Sequence, residues 1–164
     1  MRRRDNLIGT TLLSVLAALC LLVSPLASAV SIDDWLSETH DGTLHTTKMG
    51  ECVLENDQVI EACQLTFRTY GRLAPDLSNI VLMPTWLNGN AEGLATYNYL
   101  GPDGIVDTDD YFVIAVNALG NGISSSPSNS AQSPFPAFTI RDQVRLQHQF
   151  CLLYTSPSPR DVRS

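Results

Sequence analysis

Apolar and polar positions along the chain predict a series of strands followed by a helix. Residues 64–70 alternate between apolar and polar side chains, as a half-buried strand does, and Gly71 ends the alternation. Two continuous apolar runs follow, at 79–83 and 111–116, and such runs are typical of strands buried on both faces. About 25 residues separate the two runs, which is enough for a crossover that contains a helix. We therefore predict that these two strands are parallel neighbours.

A helix is predicted at 139–150, after a long loop rich in Ser, Pro and Asn. Thr139 can cap its first turn, and Asp142 three residues later completes an arrangement like a capping box. The apolar stripe of this helix comprises Ile140, Val144, the level of Gln147 and His148, Leu146 and Phe150. If the chain ends after this helix, we expect the outer edge of strand 111–116 to lack a partner.

Before these elements, apolar dipeptides on both sides of the polar segment 55–58 predict a β-hairpin. A tight turn centred between Asp57 and Gln58 would place Cys52 directly opposite Cys63, where a disulfide can form. The alternative is two free thiols in a metal or reactive site, but no His or third Cys lies nearby in the sequence.

The first 29 residues have the features of a signal peptide. Arginines at 2–4 precede an apolar run at 12–23, and the small residues at 27–29 suit a signal peptidase. A retained transmembrane anchor is the alternative, but it would need about 20 apolar residues. We therefore expect an exported protein, secreted or periplasmic, in which a disulfide is permitted.

The segment 151–164 has a different origin in our interpretation. Its first eleven residues, from Cys151 to Asp161, resemble the translation of a transposase adapter used in sequencing libraries. A natural Ser/Pro-rich tail is the alternative. We expect a non-native tail at 151–164 and a native domain at 30–150 that continues beyond Phe150 in the complete protein.

Charge excludes one large class of partner. The chain has 17 acidic and 10 basic residues, for a formal net charge of −7. Five of the basic residues lie in the two terminal segments, so the region 30–150 is more acidic still. No basic face is available for nucleic acid or anionic lipid, so we expect no nucleic-acid partner and no membrane contact after signal removal.

Several motifs in a fixed order resemble the homoserine O-acetyltransferase family of the α/β-hydrolase superfamily. The motifs are Pro-Thr-Trp-x-x-Gly at 84–89, Tyr-Phe-Val-Ile at 111–114, Gly-x-Gly-x-Ser-x-Ser-Pro-x-Asn at 120–129 and Phe-Pro-x-Phe-Thr-Ile-Arg-Asp-x-Val-Arg-x-Gln at 135–147. The resemblance covers about residues 65–149. It implies an α/β fold, namely the truncated N-terminal portion of an α/β-hydrolase, in which an antiparallel hairpin leads into a parallel sheet with crossover helices.

The resemblance also implies acyl transfer through a Ser-His-Asp triad. In that superfamily the loop after the third strand supplies a backbone N–H to the oxyanion hole. Alignment on Gly89 makes Leu87 the first candidate donor and Trp86 the second. A plain strand-to-helix turn is the alternative. The residues expected to line the same pocket and bind substrate are Asn117, Gly120, Ser124, Ser125 and Ser126, although a flexible surface loop is also compatible with them.

No Gly-x-Ser-x-Gly occurs in the chain, so the resemblance implies a nucleophile beyond Phe150, within about 40 residues. We expect the present chain alone to be inactive and unstable. His40, His45 and His148 have no counterpart in the triad, and we predict that they face solvent.

One departure from the family concerns substrate. The biosynthetic acetyltransferases begin the oxyanion loop with His-Ala-Leu-Thr-Gly, whereas residues 85–89 here are Thr-Trp-Leu-Asn-Gly. Acyl-CoA is also scarce outside the cell. We therefore keep three functions open: an acyltransferase, a secreted esterase of the same family, and a non-catalytic secreted binding protein. The first two would use a small-molecule acyl donor and acceptor.

Two other kinds of site, one for a dinucleotide and one for calcium, have only weak support in the sequence. Gly120-x-Gly122 follows a strand as a dinucleotide motif does, but no helix starts there. Four aspartates between 103 and 110 (Asp103, Asp107, Asp109 and Asp110) miss the EF-hand spacing. We expect no cofactor and no metal.

Overall fold

The computed structural model describes residues 32–86 and 88–155. The elements in chain order are α1 Ile32–Ser37, β1 Thr39–Val53, β2 Val59–Arg72, β3 Ile80–Pro84, α2 Ala91–Thr96, β4 Leu100–Gly101, β5 Val106–Asp107, β6 Phe112–Val116 and α3 Ile140–Thr155. The predicted signal peptide at 1–29 and the end of the predicted tail lie outside the described residues. In the described part of the chain, no helix is long and apolar enough to cross a membrane.

Four strands form a mixed sheet in the order β1-β2-β6-β3. β1 and β2 form an antiparallel hairpin, and β2 is also antiparallel to β6. β3 and β6 are parallel, with Val81 opposite Val113, so the predicted parallel pair is confirmed. The crossover between them contains α2 and a small parallel pair, β4 and β5. This hairpin followed by a parallel pair with a helical crossover is the α/β arrangement expected from the sequence.

The burial of the two parallel strands differs from the prediction. Every residue of β6 is buried, as predicted, but β3 is only half-buried. The reason is that β6 inserts between β2 and β3, so both of its edges are paired. The prediction of an unpaired outer edge on β6 is therefore wrong. Among the described strands, the sheet edges belong to β1 and β3.

The β1–β2 hairpin has a wider turn than predicted. The N–H of Leu54 donates to the carbonyl of Gln58 at 2.9 Å, and Val53 pairs with Val59. Cys52 is therefore opposite Ile60, not Cys63, and the predicted register is wrong. The predicted disulfide is nevertheless present, because register shifts on both sides of Gly50 bring Cys52 and Cys63 to a Cα–Cα distance of 5.7 Å.

Apolar residues cover both faces of the sheet. On one face an aromatic cluster joins α1, the sheet and α3 through Trp35, Phe67, Phe112, Phe150 and Tyr154, with Trp35 stacked on Tyr154 at 4.7 Å. On the other face α2 packs against β6 through a smaller set that includes Ala91, Leu94, Val113 and Ala115. The loops at the strand ends are thus carried by a sheet that is packed from both sides.

Helix α3 has the predicted N-terminal cap, but only part of its predicted apolar stripe is buried. Thr139 and Asp142 exchange hydrogen bonds as a capping box does. Leu146 and Phe150 are buried, whereas Ile140 is 78% exposed and Val144 60% exposed, so that part of the stripe is wrong. Helix α3 also continues past residue 150 to Thr155. The proposed origin of the segment 151–164 stays a prediction.

Candidate functional site

Two loops meet at the carboxyl ends of the parallel strands. We call residues 85–90 the β3 loop and residues 117–129 the β6 loop. The N–H of Thr85 donates to the carbonyl of Val116 at 3.0 Å, and its hydroxyl accepts from the N–H of Ala118 at 3.1 Å. The two loops therefore start side by side, at the edge where open α/β sheets bind their ligands.

Asn117, the first residue after β6, is fully buried and joins three segments. Its Oδ1 accepts a 2.8 Å hydrogen bond from the N–H of Ala91, at the start of α2. Its Nδ2 donates to the hydroxyl of Thr66 on β2 at 3.0 Å. The polar side chain is thus satisfied by protein groups, as a buried amide must be.

Asn121 links the β6 loop to the middle of the β3 loop. Its Nδ2 donates to the carbonyl of Gly89 and to Oδ1 of Asn117, both at 3.3 Å. Its Oδ1 accepts from the N–H groups of Ile123 and Ser124 at 3.0 and 3.2 Å. The side chain therefore contacts both loops at once.

The three predicted substrate-binding serines lie inside the protein. The hydroxyl of Ser124 donates to the carbonyl of Asn117 and accepts from the N–H of Thr66, at 2.9 and 3.0 Å. The hydroxyl of Ser125 accepts from the N–H of Gln64 at 2.8 Å. Ser126 is also buried and contacts another serine of the loop. This segment is pinned to β2 and is not a loose surface loop; substrate binding by these residues stays a prediction.

Gly120 allows the β6 loop to pack closely. It has a φ of +79°, and an added Cβ would lie 2.7 Å from the ring of Phe138. Only glycine tolerates both conditions at low cost. The structure therefore gives Gly120 a packing role, whatever its predicted place in a pocket.

The first oxyanion candidate, Leu87, lies outside the described residues. The second, Trp86, is 42% exposed, and its carbonyl accepts the N–H of Gly89 at 3.0 Å, which closes a turn. The indole lies over Gly89, where an added Cβ would come within 2.3 Å of the ring. A cavity of about 270 Å³ beside this turn is lined by Trp86, Asn88, Gly89, Asn90, Glu92, Gly93, Thr96 and Tyr97. Trp86 and Gly89 therefore border a cavity.

The histidines of the chain do not contribute to the site formed by the β3 loop and the β6 loop. His148 is exposed, as predicted, but the prediction that His40 and His45 face solvent is wrong. Both are half-buried on β1, at the opposite edge of the sheet from β3, and contact the Thr69 hydroxyl at 2.9 and 3.4 Å. Burial, followed by the neighbouring His40, lowers the pKa of His45. Their contacts are those of a packed hairpin.

No group of three potential metal ligands converges anywhere in the segments 32–86 and 88–155. This includes the four aspartates between 103 and 110, so the calcium alternative gains no support.

Sequence reasoning missed Asn121, Thr66 and Thr85, which tie the two loops together. Thr66 occupies a polar position in an alternating strand, which indicates an outward-facing side chain. Asn121 is flanked by glycines, which indicates a turn but not which segment the turn contacts. No local signal points to the partners of these residues.

Comparison with known proteins supports the predicted resemblance. No family model matches the chain. The chain is 40% identical over 111 residues to a probable esterase of Corynebacterium glutamicum, covering 65% of this chain and 32% of the relative. It is 32% identical over 127 residues to an ethyl acetate hydrolase of Pseudomonas veronii, covering 75% and 36%. It is 34% identical over 139 residues to a homoserine O-acetyltransferase of Nocardia farcinica, covering 74% and 36%.

The same relationship appears in solved structures. An acetylester hydrolase from Corynebacterium glutamicum superposes with a TM-score of 0.63 at 36% identity, covering 69% of this chain and 34% of that one. The chain thus spans about a third of the length of the curated relatives it matches. The resemblance and fold class predicted from the motifs are confirmed. The chain is therefore a relative of the acetylester hydrolases and homoserine O-acetyltransferases and has the α/β-hydrolase fold.

Proposed function

We propose that the complete protein is an exported hydrolase of short-chain acyl esters. The observation that carries this proposal is the anchored β3 loop, at the place where α/β-hydrolases hold an oxyanion donor. The relatives named esterase and ethyl acetate hydrolase support ester hydrolysis as the reaction. The substrate would be a small acyl ester, and water would be the acyl acceptor.

In this mechanism a serine outside the described residues attacks the ester carbonyl, and the carbonyl oxygen becomes negatively charged. A backbone N–H of the β3 loop, at Leu87 or Trp86, would donate to that oxygen. A fixed donor helps because it is oriented before charge develops, and loss of one such donor typically costs about 3 kcal/mol of barrier. The serine would lie on a sharp Gly-x-Ser-x-Gly turn after the next strand.

Acyl transfer to an alcohol is the second candidate, because the chain is also 34% identical to a homoserine O-acetyltransferase. The acceptor would then be a small hydroxyl compound. Two sequence features favour the hydrolase: the family's His-Ala-Leu-Thr-Gly is replaced at 85–89, and the predicted signal peptide would take the protein away from acyl-CoA.

The test begins with the full-length gene and its purified product. We expect hydrolysis of p-nitrophenyl acetate and ethyl acetate that is lost when the serine of the Gly-x-Ser-x-Gly turn is replaced by alanine. Homoserine with acetyl-CoA is the matched assay for the transferase. A full-length sequence without such a serine, or a protein inactive in both assays, would leave a non-catalytic binding protein. A mature N-terminus at Val30 in the culture medium or periplasm checks export.

A further inference from the structure

The side-chain amide of Asn121 has all of its hydrogen-bonding directions in use. Two N–H bonds go to the carbonyl of Gly89 and to Asn117, and the oxygen accepts two backbone N–H groups of its own loop. Because each of these partners is fixed by the backbone or by burial, the amide has one orientation. Asn121 thus acts as a rigid strut between the β6 loop and the β3 loop.

The strut contacts the β3 loop between its two anchored ends. Thr85 holds the start of the loop against β6, and Asn117 holds the N–H of Ala91 just after its end. Between them, Gly89 closes the turn onto Trp86, and the carbonyl of Gly89 accepts from Asn121. Trp86, the candidate oxyanion donor among the described residues, begins this turn and lies over Gly89, so its placement depends on the turn.

We infer that Asn121 is a positioning residue that holds Trp86, a candidate oxyanion donor, in place through the carbonyl of Gly89. The inference rests on the proposed function for its catalytic consequence. Asn121 has no part in the reaction itself: it holds Trp86 in place before negative charge develops on the substrate, which is where a rigid donor gains its advantage.

Asn121→Asp removes the donating half of the strut, keeps the accepting half and adds a negative charge. The carboxylate still accepts from Ile123 and Ser124, but it loses both donated bonds and faces the carbonyl oxygen of Gly89. Asn129→Asp is the matched control in the same loop. Asn129 donates to the carbonyls of Gly122 and Ser124 and accepts from the N–H of Ser126, so these bonds stay within the β6 loop.

In the full-length enzyme we expect Asn121→Asp to lower kcat about 10-fold or more, with KM within about twofold, because a misplaced donor is felt mainly in the transition state. Asn129→Asp should leave kcat unchanged at a similar melting temperature. Equal losses of kcat in both variants would overturn the positioning role.

Hydrogen exchange provides a readout that needs no activity. The amide of Gly89, bonded to Trp86, should exchange faster in Asn121→Asp than in wild type or Asn129→Asp. Unchanged exchange at this amide would overturn the inference even in an active enzyme. A full-length protein without esterase activity that still shows the exchange difference would refute the proposed function and leave the strut established.

Discussion

The backbone N–H of Glu55, in the β1–β2 turn, donates a 2.8 Å hydrogen bond to Oδ1 of Asp142, which lies 87 residues later at the start of α3. The other oxygen of the same carboxylate accepts from the N–H and the hydroxyl of Thr139 at 2.8 and 2.9 Å. One buried side chain therefore caps a helix and attaches it to a distant hairpin, which decides how α3 sits on the sheet.

Asp142→Asn should destabilise the protein by roughly 1–3 kcal/mol, because an amide cannot accept from the N–H groups on both sides. Burial acts to raise the pKa of Asp142, but the hydrogen bonds from Thr139 and Glu55, with Arg145 nearby, outweigh it and lower the pKa. A lowered carboxyl pKa stabilises the fold above the unfolded value of about 3.9, and the contribution is lost as the pH falls through the folded pKa.

Urea unfolding of Asp142→Asn measures this cost. The control is Asp76→Asn, since Asp76 is exposed and its carboxylate accepts from the N–H and hydroxyl of Ser78 within its own turn. A loss for Asp142→Asn no larger than that for Asp76→Asn would contradict the linking role.

Stability should also decrease on mild acidification because of His45. Its pKa is lowered by burial and by His40, so below about 6.5 the unfolded chain binds a proton more readily than the folded one. The loss should therefore develop as the pH falls from about 6.5 toward the folded pKa of His45. Melting temperatures at pH 7 and pH 5 test this, and His45→Gln should flatten the difference. His148→Gln, at an exposed position, should not.

Removal of the disulfide should cost about 2–3 kcal/mol, as expected for a bridge that closes a loop this short. The bridged cysteines are 11 residues apart. The double change Cys52→Ser and Cys63→Ser is compared with Cys151→Ser, which leaves the bridge intact. Chemical unfolding midpoints, with and without reductant, give the measurement. If reductant left the wild-type midpoint unchanged, a stabilising bridge would be excluded.

Gly71 and Gly50 form a matched pair for separating backbone strain from close contact. Both have a φ near +80°, but an added Cβ at Gly71 would lie 2.3 Å from the carbonyl oxygen of Tyr111, whereas nothing lies within 4 Å at Gly50. Gly50→Ala should cost roughly 1–2 kcal/mol from its left-handed backbone alone. Gly71→Ala should cost clearly more, because backbone atoms cannot yield as a flexible side chain can. Equal unfolding free energies would refute the contact argument.

Local patterns were sufficient for the elements that depend on local chemistry. The parallel pair followed from two apolar runs and the length of their crossover, and the cap of α3 followed from Thr139 and Asp142. The buried face of α3 could not be predicted from the local pattern, because it depends on the distant contact between Asp142 and Glu55. The predicted register of the β1–β2 hairpin was wrong because the turn contains more residues than a tight turn. Asn121 was missed because its partner, Gly89, lies 32 residues away.

The two tryptophans of the chain differ sharply in surroundings. Trp35 is 1% exposed and stacked on Tyr154, and its indole N–H has no hydrogen-bond partner among the described residues. Trp86 lies 42% exposed over Gly89, beside the cavity of the β3 loop. We therefore expect Trp35 to emit at short wavelengths and to resist quenching by acrylamide. Emission from Trp86 should be red-shifted and readily quenched. The chain thus carries one optical reporter of its core and a separate one of the β3 loop.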